Sequence, residues 1–147
     1  MNEDYRDFVA ALLEAEARFL IVGAHALAAH GVPRATVDLD VWVERTPDNV
    51  RRVWNALAAF GAPLESLGIT EADLLKPDTV AQFGMPPNRI DVLTDVSGLD
   101  FPAAWADRMD SDFAGLRAPF MGRRSLIQNK RASGRTKDLA DIEALGE

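Results

Sequence analysis

The heptapeptide VDLDVWV, residues 37–43, decides how the rest of the chain is read. Its alternation is that of a β-strand. Val37, Leu39, Val41 and Val43 fall on one face, and Asp38, Asp40 and Trp42 on the other. Asp is depleted in strands. Two ionised carboxylates about 6 Å apart, in a medium of effective dielectric about 20, repel by roughly 3 kcal/mol. A fold tolerates such a pair when one group keeps a proton, when a cation pairs with it, or when a divalent ion lies between the two. The plainest solution is a solvent-facing pair neutralised by Arg34 or Arg45. The alternative is a hard-ion site, because oxygen ligands without Cys or His suit Mg²⁺ or Mn²⁺.

Downstream, RIDVLT (89–94) repeats the pattern. Ile90 and Val92 face one way and Asp91 the other, so a third carboxylate again sits on the non-core side of a strand. Asp38, Asp40 and Asp91 are therefore expected to converge on one sheet face as metal ligands and catalytic groups. Such a trio suits phosphoryl or nucleotidyl transfer. Upstream, FLIVG (19–23) reads as a short buried strand ending at Gly, and AHALAAH (24–30) as a short helix closed by Gly31 and Pro33. Gly23 lets the backbone approach a ligand closely, and a strand-to-helix junction offers N–H groups to phosphate.

Beyond this centre, residues 5–18 read as an amphipathic helix anchored by Phe8, Leu12 and Leu13. Thr46 and Pro47 are an N-cap and first-turn pair for a helix over 47–60, ended by Gly61. TEAD (70–73) caps a short helix limited by Pro77. VAQFG (80–84) and RIDVLT form a hairpin around MPPN. Phe101 and Trp105 anchor a loop or short helix, FAGLRAPFM adds an edge strand or hairpin, and two terminal helices (about 122–145) break at Gly134. This order predicts one domain over 1–147, of α/β (α+β) class, with a small mixed sheet and helices packed on one side.

The composition is that of a globular chain: 147 residues, 48% hydrophobic and 27% charged. No apolar run is long enough to span a bilayer. The polar, acidic start MNEDYRDF is unlike a signal peptide, and there is no Cys, so a cytoplasmic protein is expected. A net charge of −7 argues against broad nucleic-acid binding. The charge is nonetheless uneven. Residues 113–137 contain no acid but carry Arg117, Arg123, Arg124, Lys130, Arg131, Arg135 and Lys137. That tract is either a solvated helix face or a surface for a polyanion. Among the remaining chemistry-bearing side chains, His30 suits a helix C-terminus, His25 a packed position, and Trp42 a cover for the sheet. Arg34 shares the parity of Asp38 if the strand starts early; it then neutralises Asp38 or binds substrate.

The string LIVGAHALAAHGVPRATVDLDVWV resembles the signature of the DNA polymerase β-like nucleotidyltransferase superfamily. In that signature a strand ends in Gly-Gly or Gly-Ser, a short helix follows, and the next strand carries Asp-x-Asp; a later strand adds a third acid. More narrowly, HGVPRATVDLD, RIDVLT and NKRASGRTKDLADIEAL resemble small bacterial nucleotidyltransferases related to AbiEii-type toxins. The resemblance spans residues 19–45, 80–94 and 123–145. It implies a polymerase β-like palm fold and the transfer of an NMP from an NTP to a hydroxyl of RNA, protein or a small molecule. It further implies Mg²⁺ or Mn²⁺ on Asp38, Asp40 and Asp91, and Gly23 at the nucleotide phosphates. Lys130 resembles a lysine that holds triphosphate oxygens, and Asp138 resembles a downstream Asp of the toxins. An antitoxin or other protein partner belongs to the same implication. The chain departs from the motif at Ala24, where Gly or Ser is usual. Ala24 keeps its N–H but lacks a hydroxyl. That departure supports a second reading, a catalytically degenerate module that binds nucleotide or a partner. A third is an oligomerising module whose acidic cluster is incidental.

Overall fold

The computed structural model describes residues 3–35, 38–85 and 88–147. Thr36, Val37 and the middle of the MPPN turn lie outside them. Helix α1 (Glu3–Glu14) buries Tyr5, Phe8, Val9 and Leu12. It stops short of the expected residue 18 because Glu16 adopts φ 56°, and Ala17 N–H closes on Leu12 C=O. A non-glycine residue in the left-handed region gives no sequence signal of a helix end.

Strand β1 (Phe19–Val22) is wholly buried and leads into α2 (Gly23–Ala29). Strand β2 (Asp38–Val43) carries the carboxylates, and α3 (Pro47–Phe60) follows. The helix α3 matches its expected ends. Thr46 Oγ1 accepts from Asn49 N–H, Pro47 occupies the first turn, and Gly61 closes the helix at φ 89°. Asn49 is buried, and its side chain bonds Arg18 N–H and C=O and Glu44 C=O. It thus clamps the start of β1 to the end of β2.

Residues 62–79 hold one short turn, α4 (Leu64–Leu67), and a 3₁₀ helix (Glu71–Leu75) with a Thr70–Asp73 capping box. The hairpin β3 (Val80–Phe83) and β4 (Arg89–Leu93) is followed by α5 (Phe101–Ala106) and a second hairpin, β5 (Met109–Phe113) and β6 (Leu116–Phe120). Helices α6 (Arg123–Ser133) and α7 (Thr136–Ala144) break at Gly134, φ 64°.

The six strands form one mixed sheet in the order β3-β4-β2-β1-β6-β5. The pairs β1–β2, β3–β4 and β5–β6 are antiparallel, and β2–β4 and β1–β6 are parallel. This is the α/β class expected from the alternation. Register places Leu39, Ile90 and Phe83 on one face. Phe8 of α1 and Phe60 of α3 meet Phe83 there, with ring centroids 5.4–6.0 Å apart. The opposite face carries the carboxylates, and at its far end Trp42 is covered edge-to-face by Phe101 at 5.1 Å. Trp42 therefore packs, and its indole N–H donates to Thr94 C=O. Among the described residues no helix is long and apolar enough to cross a membrane.

Candidate active site

In the parallel β2–β4 pair Asp40 lies opposite Asp91, and Asp38 lies opposite Arg89. Residues paired across a ladder project to the same side, so the three carboxylates and Arg89 share one face. Asp91 is buried, and Asp38 and Asp40 are half-buried. Burial first, then the Asp91 carboxylate beside it, pushes Asp40 up to about 6. Asp40 and Asp91 are also close enough to share a hydrogen bond, which adds to that rise. The field of the trio reaches α1. Tyr5 is raised first by burial and then by Asp38, Asp40 and Asp91 in turn.

The cation against these carboxylates is Arg89. Its Nη2 donates to Asp38 Oδ2 at 2.7 Å, and its Nε lies 3.3 Å from Asp91 Oδ1. Sequence reasoning nominated Arg34 or Arg45 for this task. Arg45 pairs with Asp95, and Arg34 pairs with Asp141 of α7. Strand β2 begins at Asp38, so strand parity does not carry back to Arg34. Arg89 was legible in principle, because it stands two residues before Asp91 and so on the same face.

Gly23 takes φ 65°, and a Cβ built there would lie 2.5 Å from Asp40 Oδ2. Its lack of a side chain is thus required by the Asp40 carboxylate as well as by the backbone. The sequence had suggested a phosphate as the reason. Ala24 follows in the first turn of α2, partly exposed.

Three carboxylates make a hard-ion donor set. Asp38 Oδ1 and Asp91 Oδ1 are buried oxygens with no hydrogen-bond donor among the described residues. The donor chemistry therefore fits Mg²⁺ or Mn²⁺. The side chains as they stand are not closed into a cage, for no three acidic or His residues among those described converge closely enough to hold an ion. Two of the three carboxylates are turned to the Arg89 guanidinium instead.

A solved structure of a proposed nucleotidyltransferase from Thermotoga maritima superposes with a TM-score of 0.60, over 96% of this chain and 87% of that one. The chain has a nucleotidyltransferase-like fold. Identity between the two is 11%, so the likeness is one of fold. No family model and no curated protein matches the sequence.

On this fold the other nominated residues gather at a second cluster between α6 and α7. Lys130 Nζ lies 3.4 Å from Asp138 Oδ1 and 3.2 Å from Asp141 Oδ2. Arg135 Nε donates to Asp138 Oδ2 at 2.8 Å, and Arg34 reaches Asp141. Asp138 and Asp141 are buried. The Arg135 side chain, foremost, holds Asp138 down at about 2 against its burial. Burial lowers Lys130 even though Asp138 pulls the other way. Lys130 lies at the edge of the α6 core face, as helical spacing predicts, but its ammonium goes to α7. In this arrangement Asp138 grips Lys130 and Arg135 and offers no free oxygen to a nucleotide.

His30 caps α2, and its Nε2 bonds Met121 C=O at 2.9 Å. His25 sits edge-on between Tyr5 and Phe113, and burial lowers its pKa.

Proposed function

We propose that this chain is a divalent-metal-dependent nucleotidyltransferase that moves an NMP from an NTP to a hydroxyl acceptor. The observation that carries the reading is the Asp40–Asp91 pairing in register across β2 and β4. Asp38 stands two residues before Asp40 on the same face, and Gly23 abuts Asp40. The nucleotidyltransferase-like fold agrees with it.

Asp38, Asp40 and Asp91 would hold Mg²⁺ or Mn²⁺, which when bound supplies Lewis-acid polarisation and charge neutralisation at the phosphates. The chain's own contribution is positioning and proton handling. In the reaction the acceptor oxygen attacks the α-phosphorus, the bond to the β-phosphate oxygen breaks, and pyrophosphate leaves. The hydroxyl proton passes to a carboxylate. Asp38 Oδ1 and Asp91 Oδ1, both buried and without a hydrogen-bond donor among the described residues, are the candidate oxygens to take it. Gly23 keeps the floor beside Asp40 clear of side chain. Lys130, Asp138 and Arg34 would reach the nucleotide only by exchanging their present partners. The resemblance of HGVPRATVDLD, RIDVLT and NKRASGRTKDLADIEAL to AbiEii-type proteins extends the proposal to a toxin whose acceptor is RNA or protein and whose partner is an antitoxin.

The test is incubation with each labelled NTP, Mg²⁺ or Mn²⁺, and total cellular RNA or protein, with pyrophosphate measured. Transfer of label that disappears in Asp91→Asn supports the enzyme. Nucleotide binding without pyrophosphate release would instead favour the degenerate binding module, the reading that Ala24 and the Arg89 bridge support. Absence of both nucleotide and Mn²⁺ binding would leave only the incidental acidic cluster.

A further inference from the structure

We infer that Arg89 is a built-in counter-cation that occupies the carboxylate site and sets its affinity for divalent metal. Cation binding requires the guanidinium to leave Asp38 and Asp91. The inference rests on the metal-dependent reading of the site.

The geometry is specific to Arg89. It stands across the ladder from Asp38 and two residues before Asp91, so its stem rises from the same face as both. Its Nη2 is 2.7 Å from Asp38 Oδ2 and 3.5 Å from Asp91 Oδ2, and its Nε is 3.3 Å from Asp91 Oδ1. One guanidinium therefore spans three oxygens of two carboxylates. A planar fork suits this task, whereas a lysine supplies only a point charge. Mg²⁺ coordinates oxygen at about 2.0–2.1 Å, well inside the hydrogen-bonding distance of an N–H donor. A cation seated among Asp38, Asp40 and Asp91 would share two of those carboxylates with Arg89, which bonds Asp38 Oδ2 and lies against Asp91. It would also bring two further positive charges against a guanidinium that cannot deprotonate. The side chain of Arg89 is 34% exposed, so it can swing outward.

Two opposite roles are separable. If Arg89 competes with the cation, its removal tightens metal binding. If it instead orients Asp38 and Asp91 for the cation, its removal weakens metal binding. The experiment is Mn²⁺ titration followed by electron paramagnetic resonance, with the melting temperature of the metal-free and Mn²⁺-loaded protein, for wild type, Arg89→Gln and Arg89→Lys. A charge-assisted hydrogen bond lost by the competitor corresponds to about a tenfold or greater gain in Mn²⁺ affinity in Arg89→Gln. That variant should melt lower than wild type without metal and gain more on adding Mn²⁺. Arg89→Lys keeps the charge without the fork and should bind Mn²⁺ with intermediate affinity. It also serves if Arg89→Gln does not fold. Affinity equal to or weaker than wild type in the folded variants overturns the counter-cation role and leaves the metal-dependent reading standing. Mn²⁺ binding in none of the three proteins overturns both.

Discussion

Asp40 is where the cost of this site is concentrated. Its carboxyl is pushed up to about 6 in the fold, from 3.8 as an ordinary carboxyl. Between those values the folded chain binds more proton than the unfolded chain, so stability falls as pH rises. Protonated Asp40 contributes its full stability below about pH 4, and that contribution is gone above pH 6. The raised value corresponds to at most about 3 kcal/mol at neutral pH. In metal-free protein, Asp40→Asn should therefore raise the melting temperature at pH 7.5 and leave it nearly unchanged at pH 4. Thermal melts at the two pH values check this. A loss of stability at pH 7.5 would show that Asp40 is a needed ion-pair partner. Gly23 is coupled to the same carboxylate. Gly23→Ala places a Cβ against Asp40 Oδ2 and forces φ 65° on a residue with a side chain. The left-handed conformation alone costs about 1–2 kcal/mol. The steric part should shrink when Asp40 is also shortened, so Gly23→Ala in an Asp40→Ala background should cost measurably less than in wild type. Urea denaturation of the four proteins of that cycle gives the coupling, and strict additivity would remove Asp40 as the reason for the glycine.

The elements differ in how far the sequence announces them. Helix α3 was legible end to end because Thr46, Pro47 and Gly61 form a complete local code. The β3–β4 hairpin and the break at Gly134 were legible too, whereas β5 (Met109–Phe113) starts four residues before the FAGLRAPFM stretch that was read as an edge strand or hairpin. The stop of α1 was not, because Glu16 takes a glycine-like conformation without being glycine. Strand order was also hidden, for the parallel β1–β6 and β2–β4 pairs join segments far apart in the chain. The three carboxylates were legible from alternation, and so was the place of Arg89 on the Asp91 face, but its pairing with Asp38 depends on a cross-strand register that no local pattern encodes. The same gap misdirected Lys130. Spacing placed it at the edge of the α6 core face, whereas its partners, Asp138 and Asp141, come from the packing of α7. A test at this scale is Lys130→Met. The thioether fills the stem's space but leaves two buried acids with one cation fewer. Removing one partner of a buried pair costs about 3–5 kcal/mol. Here Arg135 and Arg34 remain, so the expected loss is smaller, about 2 kcal/mol by the same principle. Asp141→Asn in the Lys130→Met background should recover part of it. If Lys130→Met is instead as stable as wild type while NTP affinity falls, Lys130 is held for ligand and its present ion pairs are incidental.

The whole molecule carries net charge −7, yet the positive charge of residues 113–137 is gathered toward its C-terminal helices. The structure sorts five of that tract's seven basic residues into two groups. Lys130 and Arg135 face α7. Arg123, Arg124 and Arg131 line an open groove of ≈ 430 Å³ with Ile127, Gln128 and Glu147. Within the groove, Arg123 has structural work, donating twice to Leu145 C=O at 2.8 and 3.2 Å and so tying α6 to the C-terminus. Among the described residues, the side chain of Arg131 is held only by an exposed contact of 3.7 Å to Glu147. Arg124 and Arg131 are therefore the pair to change when asking whether the groove meets a polyanion, since Arg123→Ala would confound binding with folding. An acidic body with one basic groove should repel most of a polyanion and admit it in one orientation. If the acceptor is RNA, Arg124→Ala combined with Arg131→Ala should weaken its binding and leave NTP affinity and the melting temperature near wild type. The slope of log affinity against log salt should become shallower by about one to two, because each phosphate contact to a single strand contributes about 0.7. Filter binding of labelled RNA at four salt concentrations measures that slope. An unchanged slope would mean that the arginines do not touch phosphate, and the groove would then be a solvated helix face on a protein whose acceptor lies elsewhere.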